Sequence, residues 1–350
     1  AGRAGALFDA STADPHWTEK TITRTDDLRE ADRRSYTVFV GASGSLHRSL
    51  FDRAGGLEPA LVLGGDTEFA HRLYQQGAVF VPDTETSSWH LGRTQMQTRR
   101  EAGTRYRLPH LANRVPEFHL RRLGRARRWE VPAVEAVVDA TEHTGDAEEA
   151  VSALLEGTTP DLRVHLLVPG ESEEGADLAE AFRGEARVHL AENAPEIDPR
   201  VPYRLFLPAW ALPAPACLAD LVAEADHRRA GLLHVLLPGA SGPRDTLRLE
   251  RTSAFARARH LAPEASGGEL DLVVEHTHGM GWLPWEGLVR PPGTCLEDHP
   301  PPDPEELRSR VSAALEAERA AGERVRRAER RHRWFASGLR ERIRRKLDHR

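Results

Sequence analysis

The sequence predicts an α/β protein built of two α/β units in tandem, followed by a basic helical tail. Three observations lead there. From residue 131 onward, short apolar runs alternate with amphipathic helical stretches, the pattern of a parallel sheet with helical crossovers. The 350 residues suit two globular units, and a composition of 39% hydrophobic, 29% charged and 6% aromatic residues excludes fibrous and wholly disordered chains. A faint internal repeat aligns LHRSLFDRAGGLEPALVLGGDTEFAHRLYQQGAVFVP with LERTSAFARARHLAPEASGGELDLVVEHTHGMGWLP, matching Arg48 with Arg251 and Asp66 with Asp271. Duplication, or chance similarity between helical segments, accounts for it.

In chain order, residues 1–35 are polar and weakly periodic. Residues 36–40 read as a strand, GASGS as a turn, and residues 46–54 as a short helix closed by Gly55 and Gly56. A second helix begins at Asp66, with acidic residues in its first turn, and stops at Gly77. AVFVP, residues 78–82, reads as a strand, and residues 99–128 as a basic helix and linker. In the second unit VEAVVDA, LRVHLLVPG, ARVHLAE, YRLFLPA and LLHVLLPG are strands, and DAEEAVSALLEG, GADLAEAFRG and CLADLVAEADHRRAG are helices. After the proline-rich PPGTCLEDHPPPDP, residues 305–350 are rich in Ala, Glu, Leu and Arg and are expected to be helical.

The net charge of −6 is unevenly spread. Residues 99–130 carry ten Arg against three Glu, and residues 321–350 carry twelve basic against four acidic residues, which leaves −21 on the rest. Arginine content alone gives no reason to expect nucleic-acid binding. In the tail, Phe335, Leu339, Ile343 and Leu347 recur every four residues between Arg340, Arg342, Arg344, Arg345 and Lys346. Such a cationic amphipathic helix either lies on an anionic membrane surface or docks on the acidic body of the protein. The longest uncharged run, residues 205–219, is broken by Pro208, Pro213 and Pro215 and falls short of the roughly 20 residues of a membrane span. Cys217 and Cys295 are too few for a disulfide framework or a four-sulfur metal site, which favours a reducing, cytoplasmic setting. The polar start without an initiator Met reads as a processing boundary rather than a secretory leader.

The residues that carry chemistry lie between 39 and 92: FVGASGS, Arg48, LFDRAGGLEPAL, GGDTEF, Arg72 with Leu73, Gly77, AVFVP, and Trp89 with His90. In that order they resemble the C-terminal half of the catalytic domain of family 2 glycosyltransferases, an inverting group with the nucleotide-sugar-binding GT-A fold. The resemblance implies transfer of a sugar from a nucleotide-diphosphate sugar to a hydroxyl on a glycan or lipid-linked acceptor. It makes Asp66 the general base, since a carboxylate at a helix start stays ionised while facing a cleft. Ser43, Gly44, Gly65 and Glu68 become substrate-binding residues, with Glu68 a fallback base. His90 becomes a ligand to a divalent cation, Mn²⁺ or Mg²⁺, on the leaving diphosphate. Where the family often has Glu-Asp, this chain has Gly65-Asp66, so the first acid is missing. Without the resemblance, Asp66 reads as a helix N-terminal residue favoured by the dipole, and His90 as one surface histidine among 17.

The family's uridine-binding strand and metal-binding DxD should precede Phe39, and residues 1–38 are too few to supply them. The chain is therefore expected to be part of a larger transferase, or to bind donor weakly by itself. The second unit resembles the opening of the same fold, but its DxD position reads Pro208, Ala209 and Trp210, and without carboxylates no hard cation is held on a pyrophosphate. Asp271 is accordingly expected to be structural, and His276 and His278 to be loop residues. The expected boundaries are an acceptor-side half over 1–98, a basic helical linker over 99–130, a degenerate GT-A-like unit over 131–300 and the amphipathic tail over 301–350. A non-catalytic scaffold or binding module is the alternative.

Overall fold

A computed structural model describes residues 13–290, except residues 32, 87, 120–127, 143, 160, 171, 197 and 238–245. The proline-rich stretch after 290 and the tail therefore lie outside the described residues. Among the described residues, no helix is long and apolar enough to cross a membrane.

Among the described residues up to 119, the regular elements are all helices. Helix α1 spans Trp17–Arg24, a 3-10 helix Ser35–Val38, α2 Arg48–Arg53, α3 Gly65–Gln75, α4 Gln95–Thr98 and α5 Arg100–Ala112, and a second 3-10 helix spans Pro116–Phe118. The strand expected at 36–40 is replaced by this 3-10 turn, because the Tyr36 carbonyl accepts the Phe39 N–H within the segment rather than across a ladder. The strand expected at 78–82 is extended but unpaired. Its side chains alternate as a strand's do, with Phe80 packed inward and Val79 and Val81 exposed at 65% and 81%, yet no described strand runs beside it. Alternation is local, whereas a strand also needs a partner to take its backbone hydrogen bonds.

The segment from Val134 on forms the expected α/β sheet. Its elements are β1 Val134–Asp139, α6 Ala147–Glu156, β2 Leu162–Leu167, α7 Glu173–Ala181, β3 Val188–Ala191, β4 Tyr203–Pro208, β5 Leu212–Pro213, α8 Cys217–Arg228, β6 Leu232–Leu236, β7 Thr246–Arg251, α9 Thr252–Leu261, α10 Gly267–His278, β8 Met280–Pro284 and β9 Val289–Arg290. The main sheet has seven strands in the order β3-β2-β1-β4-β7-β6-β8, and β5 pairs with β9 in a small second sheet. Only β7 runs antiparallel to its neighbours in the main sheet. The first five residues of β1 are all buried, as a central parallel strand covered on both faces requires. In β4, Tyr203, Leu205 and Leu207 point into the main core, where they meet Val151 and Leu154 of α6 and Leu221 of α8. Helices α9 and α10 close a smaller core over Leu232 through Phe255, Ala258 and Val274.

Helix α3 seats the helical segment on the sheet. Gly77 has φ +88°, and a Cβ there would lie 2.7 Å from the Arg257 backbone nitrogen of α9, so only glycine allows this approach. Arg257 donates to the carbonyls of Gly77 (3.1 Å) and Ala78 (3.3 Å), and the His260 ring donates to that of Gln76 (3.0 Å). His71, fully buried, donates from Nε2 to the Arg200 carbonyl at 2.9 Å. His276 and His278 were expected in a loop but occupy the last turn of α10, which stops only at Gly279 (φ +82°).

Candidate functional site

Asp66 enters the site through the turn that starts α3. Gly64 takes the left-handed conformation (φ 85°) as N-cap, Gly65 is the first helical residue, and Asp66 and Glu68 fill the first turn. Asp66 is half-buried. Its Oδ1 accepts the Thr67 N–H at 2.8 Å, and Oδ2 takes no hydrogen bond among the described residues. The first turn of a helix favours negative charge, and a carboxylate held there by one oxygen has the other able to accept further hydrogen bonds.

The small-residue turn is brought to the same place. A Cβ built on Gly41 would lie 3.7 Å from Asp66 Cβ. The turn is closed by the N–H groups of Ser43 (3.0 Å) and Gly44 (2.8 Å), both donating to the Val40 carbonyl. Gly44 is required because a Cβ there would sit 2.3 Å from the Phe39 ring. Ser43 and Gly44 are exposed, two and three residues along the turn from Gly41, the residue of this turn that approaches Asp66.

Glu68 has a different occupation. Its side chain is buried and holds Arg72 bidentately, with Nε at 2.7 Å from Oε1 and Nη2 at 2.8 Å from Oε2. Arg72 also donates to the carbonyls of Gly56 (2.7 Å) and Ala54, and lies 5.3 Å over the Phe69 ring. The pair therefore pins the turn after α2 to α3, and through α3 fixes where Asp66 stands. The i, i+4 spacing of Glu68 and Arg72 was the available sequence signal for this clamp. The carbonyls that complete it, 16 and 18 residues upstream, were not foreseeable.

His90 is exposed, its Nδ1 3.2 Å from the Gly92 carbonyl oxygen. Among the described residues no group of three His, Cys, Asp or Glu side chains could hold a metal ion. The donor set around His90 does not fit a hard divalent cation, which takes several oxygen ligands at once.

In the sheet unit, the strand order reverses direction between β1 and β4, and ligands of open α/β sheets sit outside the carboxyl ends of the strands at such a point. An open cleft lies there. The loop after β1 lines it with Glu142, Thr144, Gly145 and Asp146, and the turn after β4 with Trp210. Pro208 and Ala209 end β4 with no side-chain oxygen. The Asp271 carboxylate is occupied, its two oxygens each 2.6 Å from an Arg248 nitrogen, and Arg248 also holds Glu250 at 2.7 Å. Burial opposes the Arg248 charge, but the hydrogen bonds to Asp271 and the charge of Glu250 raise its pKa above the usual arginine value.

No protein-family model matches the chain, and a search of curated proteins found no match. Among solved structures the chain is similar to residues 1–349 of S. aureus TarS (13% identity, 43% of this chain and 57% of that one, TM-score 0.31). It is similar to a mannosyltransferase, PcManGT from Pyrobaculum calidifontis, in complex with GDP-Man and Mn²⁺ (13% identity, 46% and 56%, TM-score 0.33). It is also similar to a 4-diphosphocytidyl-2C-methyl-D-erythritol synthase (15% identity, 48% and 95%, TM-score 0.31). The chain spans little more than half the length of the first two.

Proposed function

We propose that residues 39–92 form the acceptor-side half of a nucleotide-sugar transferase site, with Asp66 as general base, and that the sheet unit is a second GT-A-like unit without transfer chemistry. The observation that supports this most is the meeting of Asp66 with the 41–44 turn. One carboxylate oxygen is spent on Thr67 and the other is open, with the backbone of Gly41 close by and Ser43 exposed two residues along the same turn. A hydroxyl acceptor in that position gives its proton to Oδ2 as its oxygen attacks the sugar carbon, and the diphosphate leaves from the opposite face, which inverts the anomeric centre. The described residues do not fit the divalent cation, so no step is routed through one.

The exposed, unpaired segment 78–82 supports the same reading. In the sheet unit the stretch after α10 and Gly279 is β8, paired parallel with β6, whereas the stretch after α3 and Gly77 is also extended and alternating but has no strand partner among the described residues. A donor half supplying that partner strand would complete a sheet and a diphosphate site at once. The tandem arrangement, with boundaries near 98, 130 and 300, follows from this proposal. Within it, His90 would belong to the part of the site that the donor half completes.

The test is sugar transfer by the protein with a panel of nucleotide sugars and hydroxyl acceptors. In a parent transferase that carries the donor half, Asp66→Asn is expected to lower turnover by about 10²- to 10⁴-fold with donor affinity unchanged, while this chain by itself is expected to bind nucleotide sugars weakly. Near-normal turnover would remove Asp66 from the base role. A second reading, a non-catalytic binding module, is favoured by Pro208, Ala209 and Trp210 at the β4 end and by the occupied Asp271. It predicts neither transfer nor donor hydrolysis with any substrate.

A further inference from the structure

The cleft at the β1–β4 switch point carries chemistry that Asp66 does not explain. Glu142 and Asp146 are exposed carboxylates on its rim, with no ion pair among the described residues. Trp210 is half-buried, one part packed against the main core and the rest lining the cleft. No basic residue is among those lining the cleft: Arg290, on β9, is buried with its Nη1 3.3 Å from Glu149 Oε1 in the first turn of α6, and its guanidinium nitrogens donate no hydrogen bond among the described residues.

These features select a class of ligand. A nucleoside diphosphate would bring negative charge against Glu142 and Asp146, and among the described residues there is no site for a cation to bridge them. A neutral polyol fits instead. The C–H face of a pyranose ring covers an indole, and its hydroxyls donate charge-assisted hydrogen bonds to carboxylates. The open shape suits one residue of a longer chain better than an enclosed small molecule. We propose that this cleft is a saccharide-binding site, with Trp210 as the stacking platform and Glu142 and Asp146 as hydroxyl acceptors. The site does not depend on Asp66 or on transfer activity.

Saturation-transfer NMR titration of the full chain with maltotriose, cellotriose, mannotriose and chitotriose tests it. At least one trimer is expected to bind in the millimolar range, Trp210→Ala to weaken it about tenfold, and Trp210→Phe to retain most of the affinity. Because Trp210 also packs on the core, the surface double variant Glu142→Gln/Asp146→Asn provides a second arm. It is expected to keep the wild-type Tm and to weaken binding about fivefold. Binding of none of the trimers overturns the proposal, as does affinity unchanged in both the alanine and the double variant. UDP competing with the saccharide would overturn it in favour of a nucleotide site.

Discussion

Residues 36–82 and 246–284 present the same succession of an opening segment, two helices, a glycine and an extended end, but they satisfy their groups differently. In the later region the opening segment is β7 and the extended end is β8, both in the seven-stranded sheet. In the earlier one, the opening segment is a 3-10 turn and residues 78–82 have no strand partner among the described residues. The acids differ in the opposite sense. Asp271 gives both oxygens to Arg248, while Asp66 has one open oxygen, and the arginine of its own helix, Arg72, is held by Glu68. The comparison teaches that the acid with an open oxygen lies in the region whose extended segment has no described strand partner, and that the region paired into the sheet holds its acid in an ion pair.

The largest effect that would sharpen this contrast is in packing. Phe255 is 2% exposed in the core under α9 and α10, so Phe255→Ala is expected to cost about 3–5 kcal/mol. Val81→Thr, in the unpaired segment, is expected to stay within about 0.5 kcal/mol. Urea denaturation of both variants checks the pair. A cost for Val81→Thr comparable with that for Phe255→Ala would mean that residues 78–82 already have a buried partner.

A smaller effect compares the two acids. Asp271→Asn removes a charge from a half-buried bidentate pair and leaves Arg248 with Glu250 alone, so it should cost about 1–3 kcal/mol. Asp66→Asn keeps an amide oxygen able to accept the Thr67 N–H and should cost about 0.5 kcal/mol. Equal losses in denaturation would make Asp66 as structural as Asp271 and break the contrast at its centre.

How much of this was legible in the sequence depends on whether the deciding interaction is local. The strands of the sheet unit were readable because central parallel strands are continuous apolar runs, as in VEAVVDA. The α3 start was readable from Gly64, Gly65 and the acids that follow. Residues 36–40 and 78–82 were misread because their composition is strand-like, and only a distant partner would make them strands. The Arg248–Asp271 pair joins β7 to α10 across 23 residues, a register that depends on the finished sheet. The expectation that Asp271 would be structural came from the missing carboxylates, and its partner is visible only in the fold. The cleft was hidden because Pro208-Ala209-Trp210 read as the loss of one chemistry, Asp146 as the first residue of the helical stretch DAEEAVSALLEG, and Glu142 as nothing in particular.

The smallest expected effect concerns the junction between the two regions. His278, at the end of α10, accepts at Nε2 from Arg257 Nη1 at 3.1 Å, and the same guanidinium holds the carbonyls of Gly77 and Ala78. Burial, then the charges of Arg257 and Arg251, lower the His278 pKa from 6.5 to about 4. The folded protein therefore keeps this ring neutral, while the unfolded chain protonates it below about 6.5. Its contribution is present in full above that pH and is lost as the pH falls toward 4, because only the unfolded state takes up the proton over that window. His234, stacked on Trp282 and 3.0 Å from Thr246 Oγ1, is lowered to about 4 by burial and then by the Arg248 charge, and its contribution has the same sign. His278→Gln retains an acceptor but cannot titrate, so the fall in Tm between pH 6.5 and 4.5 should be shallower than in the wild type, with His234→Gln as the matched variant inside the sheet. Hydrogen exchange at Gly77 and Ala78 locates the effect: wild-type protection there should drop in acid before that of β1, and His278→Gln should preserve it. Unchanged acid sensitivity at these two amides in the variant would separate the Arg257 contact from the joining of the two regions.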